Sequence, residues 1–119
     1  MAKTVLIAED EKFLTQMYEI QLQDEKFKVV STHNGNDTIE IIDKKKPDLL
    51  ILDLLMPEKD GFEVLEYIHE KGYTFPVIVL TNLSLDIDKE KCKELGAVDF
   101  LLKSEMTTEG LVKKIYEYL

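Results

Sequence analysis

Five residues with chemically useful side chains each follow a short apolar segment of the sequence. They are Glu9, Asp10, Asp53, Thr81 and Lys103. The apolar segments are rich in β-branched residues, which predicts β-strands. Because ligands of open parallel α/β sheets bind at the carboxyl ends of the strands, we expect these side chains to meet at one edge of a sheet.

Asp53 is the most informative of the five because it ends an unbroken apolar run. A carboxylate in that position costs free energy unless it is paired or bound to a metal. Two like charges about 4 Å apart repel by roughly 4 kcal/mol at an effective dielectric constant of about 20. The carboxylates Glu9, Asp10 and Asp53 have one positive side chain, Lys103, to offset their charge. The remaining negative charge would therefore favour binding of a cation. Taken alone, the string Glu9-Asp10-Glu11 fits a helix-capping segment equally well, and a single lysine is usually a solvated charge.

Carboxylate oxygens without His or Cys partners are typical ligands of Mg²⁺, for which Mn²⁺ can substitute. With a metal present, Asp53 can approach a phosphate without net repulsion and act as a nucleophile that forms an acyl phosphate. Lys103 would neutralise the phosphoryl oxygens, and Thr81 would hydrogen-bond one of them. In the loop after Asp53, where Pro57 predicts a turn, the backbone carbonyl of Leu55 is within reach of the metal.

The elements that must position these groups alternate along the chain. The predicted strands are Thr4–Ala8, Phe27–Ser31, Leu49–Leu52, Val77–Leu80 and Val98–Leu102. Between them, apolar residues recur every three or four positions, which predicts helices. On the first helix the positions with this spacing are Leu14, Met17, Tyr18, Gln21 and Leu22. Five β-α units with short connections predict an α/β fold, a single doubly wound parallel sheet with helices on both faces.

Local signals place several helix ends. Gly72 and Gly96 stand where the third and fourth helices should terminate, each shortly before a strand. Thr107 or Thr108 is suited to cap the last helix. The single cysteine, Cys92, falls on the apolar side of the fourth helix, so we interpret it as a small buried filler.

Length and charge limit the function classes. We expect one domain over residues 1–119, with no output domain, and a cytoplasmic location, because no signal peptide or spanning segment is recognisable. The net charge of −9 argues against direct contact with nucleic acid or anionic membranes. All 15 basic residues are lysines. Bidentate recognition of phosphate by arginine is therefore excluded.

The sequence resembles a response-regulator receiver domain over essentially all 119 residues. The segments that carry the resemblance are VLIAEDE at 5–11, DLLMPEKDG at 53–61, Thr81, Gly96-Ala97 and FLLK at 100–103. The string Asp-x-x-Met-Pro-x-x-Asp-Gly at this distance from an acidic pair is a specific signal. The resemblance implies a flavodoxin-like fold with strand order 2-1-3-4-5 and five helices.

The resemblance also implies a chemistry. Asp53 would take a phosphoryl group from a sensor histidine kinase or a phosphotransfer protein. Glu9, Asp10, Asp53 and the carbonyl of Leu55 would hold Mg²⁺. The chain would be a phosphoacceptor that assists its own phosphorylation and dephosphorylation, and not an enzyme.

Binding of the phosphoryl oxygens would fall to Thr81 and Lys103. Thr81 and Phe100 would act as switch residues that remodel the surface of helix four, strand five and helix five. That surface would bind a downstream protein target or a separate output domain. The protein would be a monomer or a weak phosphorylation-dependent dimer. The partner face is expected around Lys89, Lys93, Lys113 and Tyr116, with a merely solvated charged face as the equal alternative.

The sequence departs from the family pattern at three positions. Ser104 follows Lys103 where the family usually has proline after a cis bond, and a non-proline cis bond costs about 2.5–4 kcal/mol. We therefore expect either a trans bond or a strained cis bond there. Asn82 replaces a small residue, so its bulk is expected to crowd phosphate access. Phe100 lacks a hydroxyl, so its switching would depend on packing.

Two leucines suggest control of phosphoryl lifetime. Leu55 and Leu83 each lie two residues past Asp53 and Thr81, at positions that flank the phosphate mouth in the family. Apolar side chains there would exclude attacking water, although local packing of both leucines is an equal alternative.

Three other functions compete with the phosphorylation switch. A phosphorylation-independent, receiver-like interaction module is the main alternative, but such modules normally lose the acceptor Asp or the Lys. A flavodoxin-like cofactor binder would need a phosphate-binding loop where Glu9-Asp10-Glu11 stands. A phosphatase with an Asp-x-Asp motif is excluded because residue 55 is Leu.

Overall fold

The computed structural model describes residues 2–119. In it, strands and helices alternate along the chain. The strands are β1 (Thr4–Ala8), β2 (Lys28–Thr32), β3 (Leu49–Leu52), β4 (Val77–Thr81) and β5 (Asp99–Leu102). The helices are α1 (Lys12–Asp24), α2 (Gly35–Lys44), α3 (Gly61–Lys71), α4 (Asp86–Glu94) and α5 (Thr108–Tyr118), and a 3₁₀ turn covers Lys103–Glu105.

All strand pairs are parallel, and the strand order is β2-β1-β3-β4-β5. The predicted α/β fold with a single doubly wound sheet is confirmed. The order reverses direction between β1 and β3, which places the ends of those two strands at the switch point where ligands of such sheets bind. No helix of the described residues is both long and apolar enough to cross a membrane.

Alternate residues of each strand enter two separate cores. Val5 and Ile7 of β1 pack on the α1 and α5 side of the sheet, whereas Leu6 and Ala8 pack on the α2, α3 and α4 side. β3, covered on both faces, is buried at all four positions. This explains why its sequence is an unbroken apolar run.

The helix ends follow the local signals. Asn34 caps α2, and Thr107 caps α5 by accepting a hydrogen bond from the backbone N–H of Gly110. Gly72 ends α3 in the left-handed conformation, with φ of 73°, and Gly96, with φ of 96°, follows α4. The helix ends predicted at Gly72 and Gly96 and the cap predicted at Thr107 are confirmed, and β2 lies one residue later than predicted.

Three details of the sequence prediction are decided by packing. Met17, predicted with the apolar side of α1, is 41% exposed, because the buried side of that helix is formed by Thr15, Tyr18 and Leu22. Cys92 is fully buried, as predicted, and is the one buried residue of α4. The Lys103-Ser104 bond is trans, since no cis peptide occurs in the described part of the chain.

Candidate functional site

The end of β1 brings two carboxylates to the switch point. Glu9 continues the strand ladder: its backbone N–H donates to the carbonyl of Thr32 at 3.0 Å. This pairing turns its side chain inward, where only 2% of the residue is exposed. Its Oε2 accepts a hydrogen bond from the backbone N–H of Glu11 at 3.0 Å. Asp10, the next residue, points the other way along the pleat and is exposed.

Asp53 lies beside this pair at the end of β3. Its backbone N–H donates to the carbonyl of Ala8 at 3.0 Å, which fixes Asp53 next to β1. The residue is 3% exposed. Its Oδ1 accepts a hydrogen bond from the backbone N–H of Leu55 at 3.2 Å.

The loop after Asp53 returns tightly over the strand end. Asp60 caps α3 through a capping box with Glu63, so the helix begins at Gly61. A Cβ on Gly61 would lie 2.4 Å from the carbonyl oxygen of Asp53. The start of α3 can approach the Asp53 backbone this closely only because residue 61 has no side chain.

Lys103 reaches the site from the edge of the sheet that β5 forms. It follows β5, and its Nζ donates to Asp53 Oδ2 at 2.7 Å and contacts Glu9 Oε1 at 2.5 Å. The side chain is 9% exposed. One ammonium group therefore serves two buried carboxylates that belong to different strands.

This group of side chains contains more negative than positive charges. Burial raises the pKa of Glu9 to about 7, against the lowering effects of Lys103 and the Glu11 N–H, and the Asp53 charge adds to the rise. Burial alone would lower the pKa of Lys103, but its hydrogen bonds to Asp53 and Glu9 outweigh burial and raise it. The ammonium group is thus held charged and is shared by the two buried carboxylates.

The acidic cluster has the chemistry of a site for a hard divalent cation. Glu9, Asp10 and Asp53 each offer an oxygen, and these oxygens lie within 4.8 Å of one another. All three donors are carboxylates, and the exposed Asp10 leaves one side of the cluster open to solvent. Mg²⁺ favours such a set because it keeps several water ligands beside one or two carboxylates. The residues present therefore fit Mg²⁺, and Mn²⁺ shares the same oxygen preference.

Thr81 and Phe100 lie on the neighbouring strands β4 and β5. Thr81 is fully buried at the end of β4, and its Oγ1 accepts a hydrogen bond from the Leu83 N–H at 3.4 Å. In the β4–β5 register it pairs with Leu102, the residue before Lys103. Thr81 and Lys103 therefore end at the same edge of the sheet. Phe100 is half-buried and packs on the α2, α3 and α4 side.

A cavity of about 460 Å³ adjoins the acidic cluster at Asp10. Its other lining residues are mostly apolar and come from the β3–α3 and β4–α4 loops: Leu54, Leu55, Met56, Pro57, Asp60, Phe62 and Leu83. Leu55 is 53% exposed and Leu83 is half-buried. The mouth of the site thus has one acidic wall and one apolar wall.

Comparison with known proteins agrees with this geometry. The family model of the response regulator receiver domain matches residues 5–116. The chain belongs to this family. The predicted family and fold are therefore confirmed. Receiver domains are phosphoacceptor modules of two-component signalling and not classical enzymes.

Solved receiver domains from different kinds of protein share this structure. Chemotaxis protein CheY4 of Vibrio cholerae is 26% identical, with a TM-score of 0.91 and all of both chains covered. A DNA-binding response regulator of the LuxR family from Staphylococcus aureus is 31% identical, with a TM-score of 0.88 and 98% of each chain covered. The receiver domain of a histidine kinase from Syntrophus aciditrophicus is 30% identical, with a TM-score of 0.88, covering 99% of this chain and 90% of that one.

The receiver domain brings most of the predicted site residues together at one sheet edge. Glu9, Asp53 and Lys103 are in direct contact, and Asp10 adjoins them. Leu55 contacts Asp53 through its backbone N–H. Of the three departures from the family pattern, Asn82 and Ser104 are exposed, so neither of these side chains is packed into the core of the receiver domain.

Sequence reasoning missed the structural support of the site. Gly35, the first residue of α2, approaches the β3–α3 loop so closely that a Cβ would lie 2.0 Å from the Lys59 carbonyl oxygen. His33 anchors the end of β1 through a 2.8 Å hydrogen bond between its Nδ1 and the Glu9 carbonyl. The available signal was a glycine directly after a helix-capping residue, which occurs at Asn34-Gly35 and at Asp60-Gly61.

Proposed function

We propose that this receiver domain accepts a phosphoryl group on Asp53 from the phosphohistidine of a sensor histidine kinase or a phosphotransfer protein. The observation that supports this most strongly is the meeting of Asp53 with Glu9, Asp10 and Lys103 at the switch point of the sheet. A buried carboxylate with two acidic neighbours and one shared ammonium group lowers the stability of the fold unless a bound group offsets its charge. Such a cluster is consistent with phosphoryl chemistry.

The transfer step follows from the atoms present. A carboxylate oxygen of Asp53 attacks phosphorus, an O–P bond forms, and the P–N bond to the donor imidazole breaks. The electron pair of that bond stays on the imidazole nitrogen, so no proton need leave Asp53. The product is an acyl phosphate on Asp53.

The surrounding residues stabilise the charge that the phosphoryl group brings. Lys103, already hydrogen-bonded to Asp53, would neutralise phosphoryl oxygens, and the Thr81 hydroxyl would donate to one of them. Glu9, Asp10, Asp53 and the backbone carbonyl of Leu55 would hold Mg²⁺ or Mn²⁺. When bound, the metal would offset the negative charge of the carboxylates and of the incoming phosphoryl group.

The phosphorylated state would be transmitted through Thr81 and Phe100. Thr81 would turn from the Leu83 N–H toward the phosphate, and Phe100, half-buried, would repack. The surface of α4, β5 and α5 would then change. The exposed residues Lys89, Lys93, Lys113 and Tyr116 on this side form the surface that we assign to a downstream protein or output domain. Such a switch fits either a monomer or a weak phosphorylation-dependent dimer.

Phosphorylation can be tested directly with small donors. The protein is incubated with acetyl phosphate or phosphoramidate and Mg²⁺, and its intact mass is measured. We expect a gain of one phosphate, which is absent in Asp53→Asn and in wild type with excess chelator.

The matched control is Asp60→Asn, which removes a nearby carboxylate that caps α3 and is not among the acceptor groups. This variant should still be phosphorylated. Absence of any mass gain in wild type, with circular dichroism showing a folded protein, would instead support the phosphorylation-independent interaction module.

A further inference from the structure

A second, smaller groove lies at the opposite edge of the sheet. It has a volume of about 160 Å³ and lies between α2 and the strands β1 and β2, where Thr4 and Lys28 begin those strands. Its walls are apolar, and the side chains that form them are Leu6, Val30, Ile41 and Pro47. Val30 and Ile41 are only half-buried, so the groove exposes apolar surface in the free protein.

Lysines surround this apolar opening. Lys28, Lys44 and Lys45 line the groove and are exposed, although the chain as a whole carries a net charge of −9. Lys44 pairs with Glu40 at 3.2 Å. Within residues 2–119, Lys28 and Lys45 make no salt bridge, so two of the three ammonium groups keep their charge available.

The carboxylates closest in sequence are engaged elsewhere. Asp43 accepts hydrogen bonds from the hydroxyls of Tyr67 and Tyr73, both at 2.5 Å. Asp48 Oδ2 accepts a hydrogen bond from the backbone N–H of Thr4 at 2.7 Å. Within residues 2–119, neither carboxylate forms a salt bridge with a lysine at the rim, and Glu40 is the one carboxylate that does.

We propose that this groove binds an acidic peptide segment of a partner protein through one bulky apolar side chain. A volume of about 160 Å³ suits a single leucine or phenylalanine side chain and not a helix or a large cofactor. Several lysines around one small apolar centre match a segment with several carboxylates better than a single carboxylate ligand. An apolar anchor with a charged rim is a common arrangement at protein interfaces.

The position of the groove makes the interaction independent of the phosphorylation switch. It opens at the amino ends of β1 and β2, whereas Asp53 lies at the carboxyl ends. A bound partner would therefore leave the acceptor site and the surface of α4, β5 and α5 free. We assign to the groove a tethering role that holds the receiver domain near a partner in both states.

A fluorescein-labelled peptide Asp-Asp-Glu-Phe-Glu-Asp tests the proposal by fluorescence anisotropy. We expect saturable binding that weakens with added salt. Exchange of Phe for Ser in the peptide, and Ile41→Trp in the protein, should each weaken binding about tenfold, because each prevents insertion of the anchor. Val30→Phe is a second groove-filling variant in case Ile41→Trp does not fold.

Charge is tested with matched double variants. Lys28→Glu with Lys45→Glu should weaken binding about tenfold. Lys12→Glu with Lys59→Glu makes the same change of net charge at the carboxyl ends of the strands and should leave the affinity unchanged. Equal weakening by both pairs would show non-specific attraction and overturn the proposal, as would normal binding by the first pair.

Competition separates a peptide site from a small-molecule site. If 3-phenylpropionate displaces the peptide with equal affinity, the groove takes a small carboxylate and the peptide proposal is wrong. We expect the same peptide affinity before and after acetyl phosphate treatment. A protein that binds the peptide but gains no phosphate from acetyl phosphate would contradict the proposed switch and leave the groove proposal standing, so the two can fail separately.

Discussion

At the scale of single residues, the site depends on one lysine shared between two strands. Lys103 lies within 2.7 Å of both Asp53 and Glu9, and all three side chains are nearly inaccessible. Removing one partner from such a buried group leaves uncompensated charge, which is strongly destabilising. Burial raises the pKa of Glu9 to about 7.

The apolar wall of the mouth should control how long Asp53 stays phosphorylated. We expect Leu55→Asn with Leu83→Glu to raise the autodephosphorylation rate about tenfold, which corresponds to roughly 1.4 kcal/mol of barrier. Polar side chains at these positions would admit and orient the attacking water. Loss of the phosphate mass after removal of the donor measures the rate. Leu85→Asn is the control, since Leu85 is 65% exposed and lies outside the cavity. An unchanged rate in the double variant would mean that the leucines only pack locally.

Gly61 should be intolerant of a side chain. We expect Gly61→Ala to lower the free energy of unfolding by about 1–3 kcal/mol, because its Cβ would lie 2.4 Å from the Asp53 carbonyl oxygen. Urea unfolding followed by circular dichroism measures the effect. Gly110→Ala is a matched control. Its Cβ would lie 3.0 Å from the Met106 Sδ atom of a flexible side chain, so it should cost less. Equal losses in the free energy of unfolding would show that close packing of the backbone does not require glycine at position 61.

At the scale of elements, α4 is the least firmly attached helix. It has nine residues, and Cys92 is its one buried residue. Leu85, just before the helix, is 65% exposed, and Ile87, in its first turn, is 74% exposed. Lys91 provides part of its attachment, since its Nζ lies 3.7 Å from Glu66 and 4.7 Å from the centre of the Phe62 ring on α3. A helix held by few buried contacts is a suitable element to move in a switch.

By contrast, α2 and α3 are joined by a pH-sensitive contact. Hydrogen bonds from the hydroxyls of Tyr67 and Tyr73 lower the pKa of Asp43 from its ordinary value of 3.8. A carboxyl whose pKa is lower in the folded state contributes stability above its unfolded pKa, and this contribution is lost as the pH falls through the folded value.

We therefore expect Tyr67→Phe with Tyr73→Phe to return the Asp43 pKa toward its ordinary value and to reduce stability at pH 7. The difference between variant and wild type should diminish as the pH falls below about 4. Carbon-13 NMR titration of Asp43 and urea unfolding at several pH values measure the two effects. Tyr116→Phe, which removes a surface hydrogen bond to Glu25 at 3.0 Å, is the control and should leave the Asp43 titration unchanged.

At the scale of the whole molecule, the two edges of the sheet carry opposite chemistry. The carboxyl edge gathers Glu9, Asp10 and Asp53, whereas the amino edge has a groove lined by lysines. A net charge of −9 averages over this difference and so conceals it. The related receiver domains come from a chemotaxis protein, a DNA-binding regulator and a histidine kinase, so one fold serves different outputs. The partners of this domain must therefore be inferred from its surfaces.

The sequence by itself determined the fold and the positions of most site residues. A parallel sheet covered on both faces requires apolar strands, and strand ends in such a sheet share one edge, so Glu9, Asp53, Thr81 and Lys103 were predictable from local pattern. Helix caps such as Thr107 were predictable because capping depends on neighbouring residues in the chain.

The tertiary structure alone decided which groups touch and which surfaces stay open. Contact of Lys103 with both Glu9 and Asp53 depends on three strands meeting, and the exposure of Met17 depends on how α1 turns toward the sheet. The close approach of Gly61 to the Asp53 backbone and the groove beside Lys28 arise between segments distant in sequence. Spacing along a chain records periodicity within one element. Distances between elements depend on how every side chain of the two cores packs.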